Sequence, residues 1–143
     1  MPDHETATDT IMALFKTSMD SLRPNVPIAW PNIDFSPKDD FDESTHEAWA
    51  RITIGAAGAI QASLGDTGTR RWRTRGLVFV QIFAPLGNGA NEALAIADDV
   101  ATTFRGVTTS GVRIKAPDIE AIGRDEAFFQ VNVTTPFEYD QTA

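Results

Sequence analysis

Apolar and polar positions along this 143-residue chain change period several times. From Thr6 to Leu22, the residues Ile11, Leu14, Phe15, Met19 and Leu22 recur every three or four positions. That spacing predicts a helix with one apolar stripe. Pro24 ends it, because the residue before a proline is driven out of helical angles. The stretch "NVPIAWPNIDF" carries Pro27 and Pro31. Proline cannot donate to a sheet ladder, so any strand there is short or lies at an edge. From Trp49 the period becomes two: Ala50, Ile52 and Ile54 point one way, Trp49, Arg51 and Thr53 the other. Ile60, Ala62 and Leu64 then alternate with Gln61 and Ser63. Residues 49–64 are therefore either a hairpin turned at "AAG" or one long strand bent between Gly55 and Gly58.

"DTGT" is a turn, with Asp66 and Gly68 supplying its chemistry. The run "RRWRTRGLVFVQIF" follows it. Val78, Val80 and Ile82 share one face, and Leu77, Phe79 and Phe83 share the other. Apolar residues on both faces predict a central strand covered on both sides. Arg71, Arg73 and Arg75 share a face of its first half, which therefore projects beyond the core. A second helix is predicted from Ala90 to Arg105, with Leu94, Ala97, Ala101 and Phe104 as its stripe and Ile96 and Val100 widening it. Asn88 or Asn91 can cap its start, and Gly106 suits a left-handed exit. Beyond it, Val112 and Ile114 alternate with Arg113 and Lys115, and Phe129, Val131 and Val133 with Gln130, Asn132 and Thr134. These are two or three antiparallel strands with one wet face, the last two joined by a turn at "GRDE". Helix, strands, helix, strands is an α+β order. The prediction is one domain, 1–143: a mixed, mostly antiparallel sheet of about four to six strands with two helices packed on it.

Composition narrows the function. A chain of this length buries roughly 68–70% of its unfolded surface and needs no staples. It has no cysteine, which excludes disulfides and thiolate chemistry and disfavours zinc. No basic-then-apolar leader opens the sequence, and no apolar run reaches the ~18 residues of a membrane span, so the expected site of synthesis is the cytoplasm. The net charge of −8 argues against embracing DNA or an anionic membrane. That charge is uneven. Asp39, Asp40, Asp42, Glu43 and Glu47 crowd a long acidic loop over 31–47, while Arg70, Arg71, Arg73 and Arg75 are four of only 12 basic residues. Such blocks are either solvated faces or complementary contacts between copies of the chain.

The stretch "PLGNGANEA" follows a strand and precedes a helix, the order that cradles phosphate in nucleotide-binding proteins. Gly87 and Gly89 fit a dinucleotide fingerprint, but Glu92 stands where its third glycine belongs and would repel a pyrophosphate. The lysine of a P-loop is replaced by Ala90. Pro85, Gly87 and Gly89 read instead as a sharp strand-to-helix turn. Asp40, Asp42 and Ser44 match the first ligands of a calcium loop, but Thr45 and Arg51 occupy its required glycine and glutamate positions. No G-x-S-x-G is present. His4 and His46 have no metal-binding companions nearby. No catalytic, cofactor-binding or metal-ligating residue is nominated, and no enzymatic activity is expected.

The order of "PNIDFSPKDD", "WARITI", "RGLVFVQIFAPLGNG", "ALAIADDVATTFRG" and "FFQVNVTTPFEYD" resembles the tail terminator, or tail completion, proteins of long-tailed non-contractile phages and related gene-transfer particles. The resemblance runs from Trp30 to Asp140. Its most specific part is Arg75-Gly76 before the apolar strand, Phe83-x-Pro85 with Gly87 and Gly89, and Ala97-Asp98 in the next helix. It implies a structural virion protein, without cofactor, forming a homo-oligomeric and usually hexameric ring on the head-proximal end of the tail tube. Such a ring stops tube polymerisation and docks the head-completion or connector protein. DNA passes through the channel unread. On this reading Arg70, Arg71, Arg73 and Arg75 meet Asp39, Asp40, Asp42 and Glu43 of a neighbouring subunit, or meet the tube. A head–tail connector or adaptor would suit the same composition. A small nucleotide- or metabolite-binding enzyme is the rival from another class.

Overall fold

The computed structural model describes residues 2–42, 45–87, 90–124 and 127–143, without the side chains of Lys38 and Asp39. Helix α1 spans His4–Leu22. The Asp3 carboxylate caps it, accepting from the Thr6 amide at 2.8 Å. Ala7, Ile11, Phe15 and Met19 form its buried stripe. Leu22, expected in that stripe, is 49% exposed, since the helix ends there and the chain turns at Pro24. Helix α3 spans Ala90–Phe104 and buries Ala93, Ile96, Ala97, Val100, Ala101 and Phe104. Asn91 lies inside α3 rather than at its cap, and Asn88, the other candidate, lies outside the described residues. Gly106 takes φ 66°, the left-handed exit expected of it. The two helices meet through Phe15 and Phe104, stacked 5.8 Å apart.

The sheet has seven strands: β1 (Ile28–Ala29), β2 (Trp49–Gln61), β3 (Arg71–Pro85), β4 (Thr108–Thr109), β5 (Val112–Ile114), β6 (Asp118–Arg124) and β7 (Phe128–Thr142). Four to six were expected. The excess comes from β1 and β4, which are two residues each and too short to show any alternation. The order is β1-β2-β3-β7-β5-β4, with β6 beside β7 below β5. Among the described residues only β1 and β2 pair in parallel; the other pairings are antiparallel. The α+β prediction holds at this level. A four-residue helix, α2 (Pro37–Asp40), interrupts the segment read as a loop.

Residues 49–61 form one continuous strand, not a hairpin. Its register on β3 shifts between Ala56 and Gly58, so the glycines make a bulge and not a turn. Beyond the bulge, residues 57–61 of β2 are exposed and Leu64 is 96% exposed in the turn that follows, while β3 stays paired with β7 as far as Arg71. Gly76 lies between Ala56 of β2 and Phe137 of β7, level with the bulge. A Cβ there would run into the Phe137 ring and come within 2.6 Å of the Gly55 carbonyl oxygen, so only glycine fits.

α1 and α3 cover one face of the sheet, burying Ile52, Val78, Val80, Ile82, Val131 and Val133. The opposite face is not covered throughout, contrary to the expectation for β3. At one end Trp49 stacks on Phe83 at 4.1 Å, and Phe35, Phe41 and Phe128 close around them. The middle is open: Phe79 is 38% exposed. The far end is charged.

Candidate functional site

Strand alternation and register build that charged end. Arg71, Arg73 and Arg75 share the uncovered face of β3. Antiparallel pairing sets Asp140 opposite Arg73 and Glu138 opposite Arg75, and on the other side of β7 sets Arg113 opposite Glu138. Directly opposite side chains on one face stand close enough to interact. The Arg73 guanidinium donates to both Asp140 oxygens, at 2.9 and 3.3 Å. Arg113 donates to Glu138 at 3.0 Å and to Asp140 at 3.2 Å, and Lys115 reaches Glu138 at 3.2 Å. Arg71 and Arg75 stand farther off, 3.7 Å from Asp140 and 3.9 Å from Glu138.

Two carboxylates thus serve five cations. Hydrogen bonds from Arg73, then Arg113, hold the Asp140 carboxyl below the usual aspartate range, against the desolvation that opposes them. At Glu138 desolvation pushes upward, but bonds from Arg113 and Lys115 outweigh it, and that carboxyl is lowered too. Arg73 is correspondingly raised by its bond to Asp140. Both anions remain ionised at neutral pH, and the patch keeps a cationic surplus on a chain of net charge −8. Arg71 and Arg75, at 52% and 62% side-chain exposure, present that surplus to solvent.

The sequence reading grouped four arginines, and the structure keeps three together. Arg70 is apart: it donates to Thr67 at 3.2 Å and lies over the Trp72 ring. The reading did not nominate Arg113, Lys115, Glu138 or Asp140. "VRIK" and "FEYD" do place them on wet strand faces, but only the register of β3, β7 and β5 brings them into one row.

The acidic block lies elsewhere. Its segment packs through Phe35 and Phe41 at the aromatic end of the same face. Ten residues of β3 separate Phe83 from Arg73, roughly 34 Å of strand. Within one copy, therefore, the described part of the acidic block does not meet the arginine row. Asp40 accepts from the Ser36 amide at 2.7 Å, closing its own short helix. Glu47 takes Arg23 at 3.1 Å, while Asp99 takes the same guanidinium at 2.6 Å. Glu43 and the Asp39 side chain lie outside the described residues.

At the other nominated position, β3 ends at Pro85 and Gly87 turns with φ 97°. Gly89 lies outside the described residues. A hollow of about 360 Å³ beside the turn is lined by Pro85, Leu86, Gly87, Ala90, Arg124 and Phe129, with one cation among them. Among the described residues, no cluster of three metal-ligating side chains is found, and no helix is long and apolar enough to cross a membrane.

No curated protein sequence matches the chain. The fold matches 25 solved chains. One of them is 20% identical, with a TM-score of 0.64 over 95% of this chain and 96% of that one. The family described as phage tail terminator protein matches residues 10–137.

Proposed function

The chain belongs to the phage tail terminator family, and on that premise we propose that it forms a ring on the head-proximal end of a tail tube, stops tube polymerisation and presents the docking face for the head. Membership makes it a structural component of the phage tail; the ring, its position and its docking role are our reading. One observation carries it: a single face of the sheet is sealed by aromatics at one end, bare in the middle and cationic at the other. Phe79, Arg71 and Arg75 lie open on that face, available to a neighbouring copy or to the tube. Head-to-tail contacts that close into a ring require two different patches on every copy, and this face and its edges supply them. The net charge of −8 per copy gives DNA passing through such a ring little to hold it, since retention requires neutralised phosphates. No catalytic step enters this reading.

The test is particle assembly without the chain. Tails should overgrow and fail to join heads, and adding the purified protein to growing tubes should cap them. Tails of normal length that join heads in its absence would overturn the proposal.

A further inference from the structure

We propose that the outer edge of β2 receives β6 of a second copy, so that neighbouring copies share one continuous antiparallel sheet. This rests on the ring reading above and names the strands that join.

β1 covers β2 only at Ala50 and Arg51. From Ile54 to Gln61, no strand among the described residues pairs with that edge. Proteins normally blunt a free edge with charge or proline. Here the run from Ile52 to Gly65 carries neither. A Cβ on Gly55 or Gly58 would meet nothing within 4 Å. The Ala62 amide donates inward to the Arg71 carbonyl at 2.7 Å, so alternation aims the Ala59 and Gln61 backbone groups outward, without a partner strand. Across the sheet, β6 pairs with β7, and no strand among the described residues pairs with its other edge. Its Asp118 and Glu120 lie on the uncovered face, opposite Thr134 and Asn132, and are exposed.

Polarity and length select the match. β2, β3, β7 and β6 alternate in direction, so a copy placed head-to-tail offers β6 antiparallel to β2. In one copy Asp118 is level with Thr53, through Thr134 and Phe79. A flush neighbour would therefore bring β6 to the stretch that β1 occupies, and β5 to the open run. Sliding the neighbour until Asp118 lies beside Ile60 and Glu120 beside Gly58 places β6 on the open run and carries β5 past the end of β2 at Gln61. That slide is six ladder steps, about 20 Å, across four strands of about 19 Å. The resulting strand tilt, about 45°, is near that of closed sheets.

Charge agrees with this register. Ile60 and Gly58 lie opposite Arg73 and Arg75. Gly58 has no side chain, so Arg75 can lean over it toward Glu120 of the neighbour. Asp40 and Glu47 are already engaged within the chain, which favours β6 over the 39–47 segment as the acidic partner.

The chain has no cysteine, so engineered ones report contacts cleanly. Ile60→Cys and Asp118→Cys variants are assembled on tail tubes, oxidised and counted by microscopy. Neither alone should cross-link; their mixture should give dimers, and the double variant a ladder of multimers. Ala59→Pro keeps the β3 ladder but removes an outward amide, and should cut the yield about tenfold. Cross-linking by Ile60→Cys alone would mean a symmetric β2–β2 contact and overturn the proposal. Rings without cross-links in the double variant would overturn it while leaving the ring standing. Neither rings nor cross-links would overturn both.

Discussion

Arg73 and Asp140 face each other directly across β3 and β7, sixty-seven residues apart in sequence, with the guanidinium Nε donating to the carboxylate at 2.9 Å. This pair is the centre of the charged row, and Arg71 and Arg113 share the same anion.

Asp140→Asn should keep the shape and lose the charge. The lost charge-assisted bonds should cost about 1–2 kcal/mol, discounted because the arginines are partly solvated. Urea unfolding at neutral pH measures it, and an unchanged midpoint would show the row to be decorative.

The same residue gives a pH dependence of known sign. Its pKa is lowered in the fold. Its contribution is therefore complete above the unfolded aspartate value of about 3.9 and disappears as pH falls through the lower folded value. Wild-type stability should drop as pH falls below about 4, and Asp140→Asn should drop less. Parallel curves for the two proteins between pH 6 and pH 3 would contradict the assignment.

Gly76→Ala should destabilise by about 1–3 kcal/mol, because Cβ meets Phe137 and the Gly55 carbonyl and the strands must part. Thermal melting should fall by several degrees. Shortening the obstacle with Phe137→Leu should recover part of the loss, which simple loss of chain flexibility would not predict.

Val80→Asp places a carboxylate at a position with no solvent exposure, in the middle of β3. Several kcal/mol are expected, enough to unfold a domain of ordinary stability, about 5–15 kcal/mol. A soluble variant with a cooperative melt would mean that β3 is not central.

Calorimetric titration with ATP, GTP or NAD should show no micromolar binding at the Pro85–Gly87 turn, because Ala90 and Glu92 replace the residues such ligands need. Heat that saturates at micromolar ligand would revive the nucleotide reading.

The long elements were legible because period and burial coincide there. Val78, Val80 and Ile82 alternate in sequence and lie on the helix-covered face, and the stripe of α1 from Ile11 to Met19 is the buried one. What failed was whatever depends on register or on short pairings. β1 and β4 exist only because a neighbouring strand lies beside them. Leu77, Phe79 and Phe83 looked alike as a face, yet only Phe83 is sealed, by aromatics that arrive from Phe35, Phe41 and Phe128. The arginines were visible as a block. Their anions were not, since Glu138 and Asp140 become neighbours only through the β3–β7 ladder.

β7 is the last strand in chain order and stands at the middle of the sheet, between β3 on one side and β5 and β6 on the other. Translation therefore delivers the keystone late. β2 and β3 leave the ribosome as a two-stranded ribbon, and such a ribbon is marginal in water by itself. It must wait until Phe128 to Thr142 have been made before its second neighbour exists. At 5–20 residues per second, that interval is several seconds. During it β3 has an open edge as well as β2, so the ribbon exposes two unpaired edges and the nascent chain is more prone to stick to its siblings than the finished one.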